Sequence, residues 1–220
     1  EYILIMTYLE AVNKVLRRLR EDEVVSVSSN PYSKLIGELV NDAKRIVEDA
    51  WDWSSMRTTL TVDTTAGVFS YNLVGSGTGL KTLDVINDTS NVFMKQATSS
   101  WMNNVFLNQE PPQSSPCYYA WNGFNNNGYA VVDIYPIPDD VYNLRFNVVN
   151  RDAEFTNDTD VLNVPSAAVV QFAQAMAIEE RGETGGTSSN SMMAMAKSTL
   201  SDAIAMDAAR FPSETIWTDV

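Results

Sequence analysis

The sequence contains no histidine and only one cysteine, Cys117, among its 220 residues. The absence of histidine removes the commonest general base, the usual catalytic triads and most zinc sites. A single cysteine cannot form an intrachain disulfide, and without a histidine partner its thiol lacks the usual means of activation. We therefore expect no enzyme, no metal, no cofactor and no need for an oxidising compartment.

Basic residues are also scarce, with 15 Lys and Arg against 28 Asp and Glu and a formal net charge of −13. A protein that neutralises DNA phosphates needs the opposite sign, so specific binding of nucleic acid is not expected. The charge is uneven, since residues 1–57 carry −2 and residues 58–220 carry −11. The first helices should therefore be the least repulsive surface.

Long hydrophobic runs are missing too, and no stretch approaches the roughly 18 apolar residues of a membrane span. We therefore expect no membrane anchor. Hydrophobic residues nevertheless make up 45% of the chain, and they include five Trp, nine Tyr and eight Phe. This composition is typical of a folded globular protein.

Two helices are predicted before residue 54. Thr7 and Glu10 form a capping-box pattern ahead of apolar residues at helical spacing, which predicts a helix over about residues 8–20. Asn30 and Pro31 supply the N-cap and first-turn proline of a second helix, whose wide apolar stripe reaches Trp51.

Three arginines, Arg17, Arg18 and Arg20, lie near the end of the first predicted helix. Cations at this position complement the helix dipole. They are either a solvated face or a contact patch for an acidic partner, and we include them in the candidate interface.

A long β-rich segment follows. Residues 58–62 and 68–73 have strand patterns on either side of a turn and are predicted to pair as a hairpin. A second predicted hairpin joins residues 117–121 to residues 129–135 through an Asn-rich turn, and residues 142–149 alternate as another strand. The segment predicts an antiparallel sheet structure.

This segment also offers the strongest alternatives to a purely structural role. Glycosidase chemistry needs only two carboxylates, and several lie here among many aromatic residues. A glycan could instead stack on aromatic side chains. The carboxylates are Asp84, Asp133, Asp139 and Asp140, and the aromatic candidates are Tyr118, Tyr119, Trp121 and Tyr129. A glycan-binding or glycan-cleaving component therefore remains the alternative function.

The chain returns to helical patterns after residue 160. Residues 157–160 could offer oxygen ligands to calcium, but they lack the spacing of an EF-hand, and a turn is the better interpretation. A third helix is predicted from residues 163–165 to Gly182, and a fourth from about residue 189 to Arg210. Each helix pair has little core of its own.

These patterns predict the α+β class, in which N- and C-terminal helix pairs form a four-helix bundle with an inserted antiparallel β-rich domain. The predicted helical domain is discontinuous, residues 1–54 and 160–220, and the inserted domain is residues 55–159. After Pro212 stops the last helix, the remaining tail is unusually apolar. Its candidate interface residues, which dock on a partner or on the chain's own bundle, are Phe211, Ile216 and Trp217.

Several segments, taken in order, resemble the tail tubular protein A family of short-tailed phages. They are TYLEAVNKVLRRLR at 7–20, VNDAKRIVEDAWDW at 40–53, LTV at 60–62, LRFN at 144–147 and EERGE at 179–183. The resemblance implies a structural head-to-tail adaptor in the virion tail, assembled in the host cytoplasm. It implies a homo-oligomeric ring of twelve copies below the portal protein, with the tail nozzle protein beneath it and DNA ejected through its channel.

The same resemblance carries no catalytic residues. Twelve copies at −13 each would hold about 156 excess negative charges, a field that disfavours adhesion of DNA to the channel wall. We expect the helical residues 7–53 and 163–210 to make ring and portal contacts. The β-rich domain is expected to face the nozzle, with tail fibres as a further candidate partner.

Overall fold

The computed structural model describes residues 6–77, 79–108, 111–182 and 189–210. It divides into two compact units, of which the first combines Glu1–Ser55 with Glu154–Val220 and the second is Met56–Ala153. The described α-helices are α1 (Tyr8–Arg18), α2 (Pro31–Ala50), α3 (Ser99–Asn108), α4 (Ser166–Glu180) and α5 (Ser189–Ala208).

The described strands are short. They are β1 (Met6–Thr7), β2 (Arg57–Asp63), β3 (Ser70–Leu73), β4 (Lys81–Asn87), β5 (Val92–Phe93), β6 (Lys95–Gln96), β7 (Tyr118–Phe124), β8 (Ala130–Tyr135), β9 (Asn143–Val149) and β10 (Val161–Leu162). Strands β1 and β10 belong to the helical unit, where they form a two-stranded antiparallel sheet.

Both predicted N-caps are confirmed. The Thr7 hydroxyl accepts a hydrogen bond from the Glu10 backbone N–H at 3.3 Å, and Glu10 Oε2 accepts one from the Thr7 N–H at 2.8 Å. Asn30 and Ser33 form the same reciprocal pair at the start of α2, with Pro31 in the first turn. These contacts satisfy backbone donors that a helix start leaves free.

Helices α1, α2 and α4 pack against one another and form the core of the helical unit. Their fully buried side chains include Val12, Val15, Ile36, Val40 and Val169. Gly37 permits a close approach on α2, because a Cβ atom there would lie 2.7 Å from Val27 Cγ1 and closer still to the Tyr8 hydroxyl. The core is therefore a three-helix arrangement.

The α+β class agrees with the structure, but the predicted four-helix bundle is wrong. Helix α5 packs mainly on α4, and only Ala196 and Asp207 of its described residues are buried. Its predicted apolar stripe is composed largely of Ala and Met, and most of that stripe is only half-buried against one neighbour. A fourth bundle helix would be enclosed by two neighbours, and α5 is not.

The second unit contains two four-stranded sheets, with strand orders β2-β9-β4-β5 and β3-β8-β7-β6. Leu73, Tyr119 and Val132 of one sheet share a buried core with Val85 and Phe146 of the other. Pairing is antiparallel throughout these sheets except between β6 and β7, which run parallel. The unit is therefore a β-sandwich.

The two predicted hairpins had different outcomes. Strands β7 and β8 do pair as antiparallel neighbours across the Asn-rich turn. The hairpin predicted from residues 58–62 and 68–73 is wrong, because β2 pairs with β9 and β3 pairs with β8 in the other sheet. The chain therefore passes from one sheet to the other at the turn between β2 and β3.

Candidate assembly surfaces

The arginines at the end of α1 are exposed, as expected for cations near a helix C-terminus. Arg17 Nη1 lies 2.7 Å from Glu23 Oε1, and Arg18 Nη1 donates to Gln174 Oε1 on α4 at 3.2 Å. Arg20 follows the helix in a left-handed conformation, with φ of 60°. Their role as interface residues stays a prediction.

Three acidic residues follow those arginines directly, at positions 21–23. Glu21 Oε1 accepts a hydrogen bond from Arg181 Nη2 at 2.6 Å, and the Arg181 guanidinium lies 4.7 Å from the centre of the Tyr32 ring. Residues 17–23 therefore carry three positive and three negative charges, and Glu23 pairs directly with Arg17, which sequence reasoning about the helix alone missed. The other candidate interface residues, Phe211, Ile216 and Trp217, lie outside the described residues.

The outward face of α5 is weakly charged and includes exposed methionines. Met195 and Met206 are 56% and 71% exposed, and the helix carries only three charged residues, Lys197, Asp202 and Asp207. Asp207 is buried. A 20-residue surface helix is normally polar on its solvent side, so this face is suited to packing on another protein surface.

Buried Asp207 fixes the C-terminal turn of α5. Its carboxylate accepts hydrogen bonds from Ser54 Oγ at 2.6 Å, the Ser54 backbone N–H at 3.0 Å and Trp51 Nε1 at 3.2 Å. Beside it lies a cavity of about 420 Å³, lined in part by Trp53, Leu162 and Met206. Because its hydrogen bonds are made within the unit, Asp207 holds the helix in place.

In the β-sandwich, α3 packs on β7 and brings several aromatic residues together. The Trp101 ring lies 5.2 Å from the Tyr118 ring and 5.6 Å from the Tyr135 ring. Phe106 contacts Tyr135 and Phe69, with ring centres 6.0 Å and 4.7 Å apart. This cluster borders a cavity of about 480 Å³ that also reaches Asp133.

The aromatic residues proposed to stack on a glycan do not form an exposed platform. Tyr119 is buried in the sandwich core, and Trp121 packs on it and on Phe146 with ring centres about 6 Å away. Tyr118 is half-buried beside Trp101, and Tyr129 is half-buried next to the turn. The arrangement explains these aromatics as packing residues.

The carboxylates considered for catalysis also have structural partners. Asp84 Oδ1 accepts from Asn147 Nδ2 at 2.6 Å, Asp139 Oδ1 accepts from the Tyr142 hydroxyl at 2.7 Å, and Asp140 Oδ1 accepts from the Val141 N–H at 2.8 Å. Asp133 differs from them because one of its oxygens is buried and has no hydrogen-bond partner among the described residues. No carboxylate pair across a cleft emerges from these contacts.

Cys117 is half-buried, and burial raises the pKa of its thiol while nearby Lys95 lowers it by a smaller amount. A raised thiol pKa reduces the thiolate fraction at neutral pH. The described residues also contain no group of three or more His, Cys, Asp or Glu side chains arranged to hold a metal ion. None of the described helices has the length and apolarity needed to cross a membrane.

The turn at residues 157–160 uses its carboxylates within the protein. Asp160 Oδ2 accepts the N–H groups of Thr156 and Asn157, both at 2.8 Å, and Asp158 Oδ1 accepts the Val27 N–H at 3.1 Å. The turn also ties down the start of α1, because the Tyr8 N–H donates to the Asp160 carbonyl at 2.8 Å.

The family model described as SU10 adaptor protein matches residues 6–215. No curated protein matches the chain. The match confirms the prediction of a phage adaptor-type protein, but it names a different family from the tail tubular protein A family suspected from sequence.

Proposed function

The chain belongs to the SU10 adaptor protein family, and we propose that it forms a ring between the portal and the tail nozzle of a phage particle. Family membership makes it an adaptor-type structural component of the virion, which interacts with other virion components such as portal and tail. The ring, its position below the portal and the passage of ejected DNA through it are the finer parts of the proposal.

The outward face of α5 carries this proposal. Exposed Met195 and Met206 lie on the same side of this long helix, and exposed Ser198 and Asp202 lie between them, so the strip along this side is weakly charged and partly apolar. Burying that strip against the neighbouring copy would remove apolar surface from water, the dominant favourable term in most protein association. Methionine suits such a contact because its side chain adapts to an irregular partner surface.

Charge supports the use of this face. The helical unit has 20 acidic and ten basic residues, a net charge of −10, whereas the β-rich unit has eight acidic and five basic residues, a net charge of −3. Identical helical units therefore repel one another except where charges are sparse. The α5 face is such a place, and like-charge repulsion elsewhere favours one defined contact over random association.

The proposal includes no catalytic activity and no cofactor. Cys117 has a raised pKa, and the partners of Asp84, Asp139 and Asp140 explain those carboxylates without chemistry. In a ring of about twelve copies, the acidic surface would let DNA pass without adhering to the channel wall. Helical contacts with the portal and β-sandwich contacts with the nozzle complete the proposed arrangement.

The test compares the full chain with the variants Met195→Glu and Val74→Glu. Val74, in the β-rich unit, is 67% exposed, so the control introduces the same charge at a similarly exposed apolar residue. We expect Met195→Glu to abolish the ring, alone or with portal, because it places a carboxylate in the buried strip. Native mass spectrometry and electron microscopy measure the outcome.

The control should assemble like the original chain, and both variants should keep the original circular dichroism spectrum. A ring that survives Met195→Glu would contradict the role of α5, as would loss of the ring in both variants. A chain that stays monomeric with portal and nozzle present would contradict the ring itself.

A further inference from the structure

The cavity beside α3 is lined mainly by apolar side chains. Phe69, Phe106, Leu107 and Ile137 form much of its wall, with Asn103 adding an amide. Leu107 is 84% exposed at the edge, so the cavity is reachable from solvent. Its volume of about 480 Å³ is that of a site for a side chain or a small ligand.

One charged residue, Asp133, lies in this apolar wall, and only 7% of it is exposed. Its Oδ2 atom accepts a hydrogen bond from Asn122 Nδ2 at 2.9 Å. Its Oδ1 atom is buried and has no hydrogen-bond partner among the described residues, and Asp133 forms no ion pair with them. Asp133 is thus a buried carboxylate with half of its acceptor capacity unused.

An incompletely paired buried carboxylate lowers the stability of a fold, so its presence calls for an explanation. A cation in the cavity would supply the missing charge. Aromatic rings favour the same occupant, because their faces attract ammonium and guanidinium groups. The Phe69 and Phe106 rings, whose centres are 4.7 Å apart, both line the wall that Asp133 shares.

We propose that this cavity binds the side chain of an arginine or lysine presented by a basic segment of another virion protein. The chain itself carries a net charge of −13, so a basic partner is complementary to it and a second copy is not. The proposal rests on the adaptor role but does not require the ring. Loss of the ring through α5 and loss of this contact are therefore separate results.

The test uses the full chain, labelled at its isoleucine methyl groups, and N-acetyl-arginine amide as the probe. Ile137 lines the cavity, so its methyl resonance reports occupancy even in a large assembly. The control ligand, N-acetyl-citrulline amide, has nearly the same shape but carries a neutral urea in place of the guanidinium. We expect a saturable Ile137 shift with the arginine probe and a much smaller one with citrulline.

Two variants localise the effect. Asp133→Asn keeps an oxygen for the Asn122 contact and removes the charge, so the affinity for the arginine probe should fall by about tenfold or more. Asp84→Asn removes the same charge from a carboxylate on the other sheet that accepts from Asn147, and should leave the affinity unchanged.

Equal shifts from arginine and citrulline would overturn the proposal, because the cavity would then recognise shape without charge. The absence of a saturable shift would overturn it as well, and so would unchanged affinity in a folded Asp133→Asn variant. If that variant does not fold, the comparison of the two ligands on the original chain decides the question. Intersubunit contacts that place an arginine or lysine of a second copy in the cavity would also contradict the assigned partner.

Discussion

Asp160 shows how one carboxylate organises a junction in the helical unit. Its side chain accepts two backbone N–H groups, and its backbone carbonyl accepts the N–H of Tyr8 at the start of α1. The hydrogen bonds from the Asn157 and Thr156 backbones hold the pKa of Asp160 below its ordinary value of 3.8. The ionised form is therefore the one that the folded state favours.

This shift predicts a pH dependence. Because the pKa is lower in the folded state, Asp160 stabilises the fold above the ordinary pKa of 3.8 and loses that contribution as the pH falls through the folded value. Asp160→Ala should lower the melting temperature at pH 7, and the difference from the original chain should shrink below about pH 3.8. Thermal unfolding followed by circular dichroism at several pH values measures this.

Asp22→Ala is the matched control, since it removes an exposed carboxylate from the same unit but none of these turn contacts. A difference for Asp160→Ala that stays constant from pH 7 to below pH 3.8 would argue against the hydrogen-bonded carboxylate as its cause.

Single residues also mark where sequence reasoning reached its limit. Asp207 could have been found, because it follows Ala196, Leu200 and Ala203 at helical spacing and so occupies a core-facing position. Asp133 could not, because its strand neighbours Val132 and Ile134 face the sandwich core and put it on the outer face. Only the packing of α3 and its neighbours on that side encloses it.

At the scale of the element, the helix starts were the most predictable features. Thr7 and Glu10, which form the cap of α1, are only three positions apart, so the local sequence encodes their contact. The pairing of β2 was not predictable in this way. Its partner β9 lies 80 or more residues further along the chain, and a strand pattern followed by a turn does not specify which strand it joins.

The cap of α1 gives a prediction at this scale. Thr7→Ala removes the side-chain acceptor for the Glu10 N–H, and it should lower the free energy of unfolding by about 1 kcal/mol. Thr7→Ser keeps the hydroxyl and should retain most of the stability. Urea unfolding at equilibrium measures both, and equal losses in the two variants would contradict the capping role.

Helix α5 shows a different limit of predicting helix packing from hydrophobic periodicity. Its apolar positions recur at helical spacing, and that spacing is the same whether a helix is enclosed by two neighbours or rests on one. The half-buried stripe of Ala and Met therefore predicted a fourth bundle helix where the structure has an outer one. Side-chain periodicity gives the direction of burial but not its extent.

At the scale of the whole molecule, the two ends of the β-rich unit meet. Arg57 and Val149 are directly paired on β2 and β9, and the Asn150 N–H donates to the Met56 carbonyl at 3.1 Å. Paired residues on antiparallel strands lie about 5 Å apart. A short linker can therefore span the gap that removal of residues 57–149 would leave.

This geometry predicts that the helical unit folds without its insertion. A chain with residues 57–149 replaced by about four Gly and Ser residues should unfold cooperatively and keep its helical circular dichroism signal. A linker of the same composition inserted after Gly67, in a turn of the intact chain, is the control for added flexibility. If the shortened chain unfolds non-cooperatively and the control does not, the helices need the sandwich.

Adjacent ends also have an evolutionary meaning. When the two ends of an inserted unit are adjacent in space, both junctions fall at one place in the host structure. Recombination can then exchange that unit for another. Lineages of adaptors could then keep one helical unit, with the contacts proposed for it, while acquiring different sandwiches to fit different tails. Sequence divergence should accordingly change abruptly near residues 56 and 153 rather than gradually along the chain.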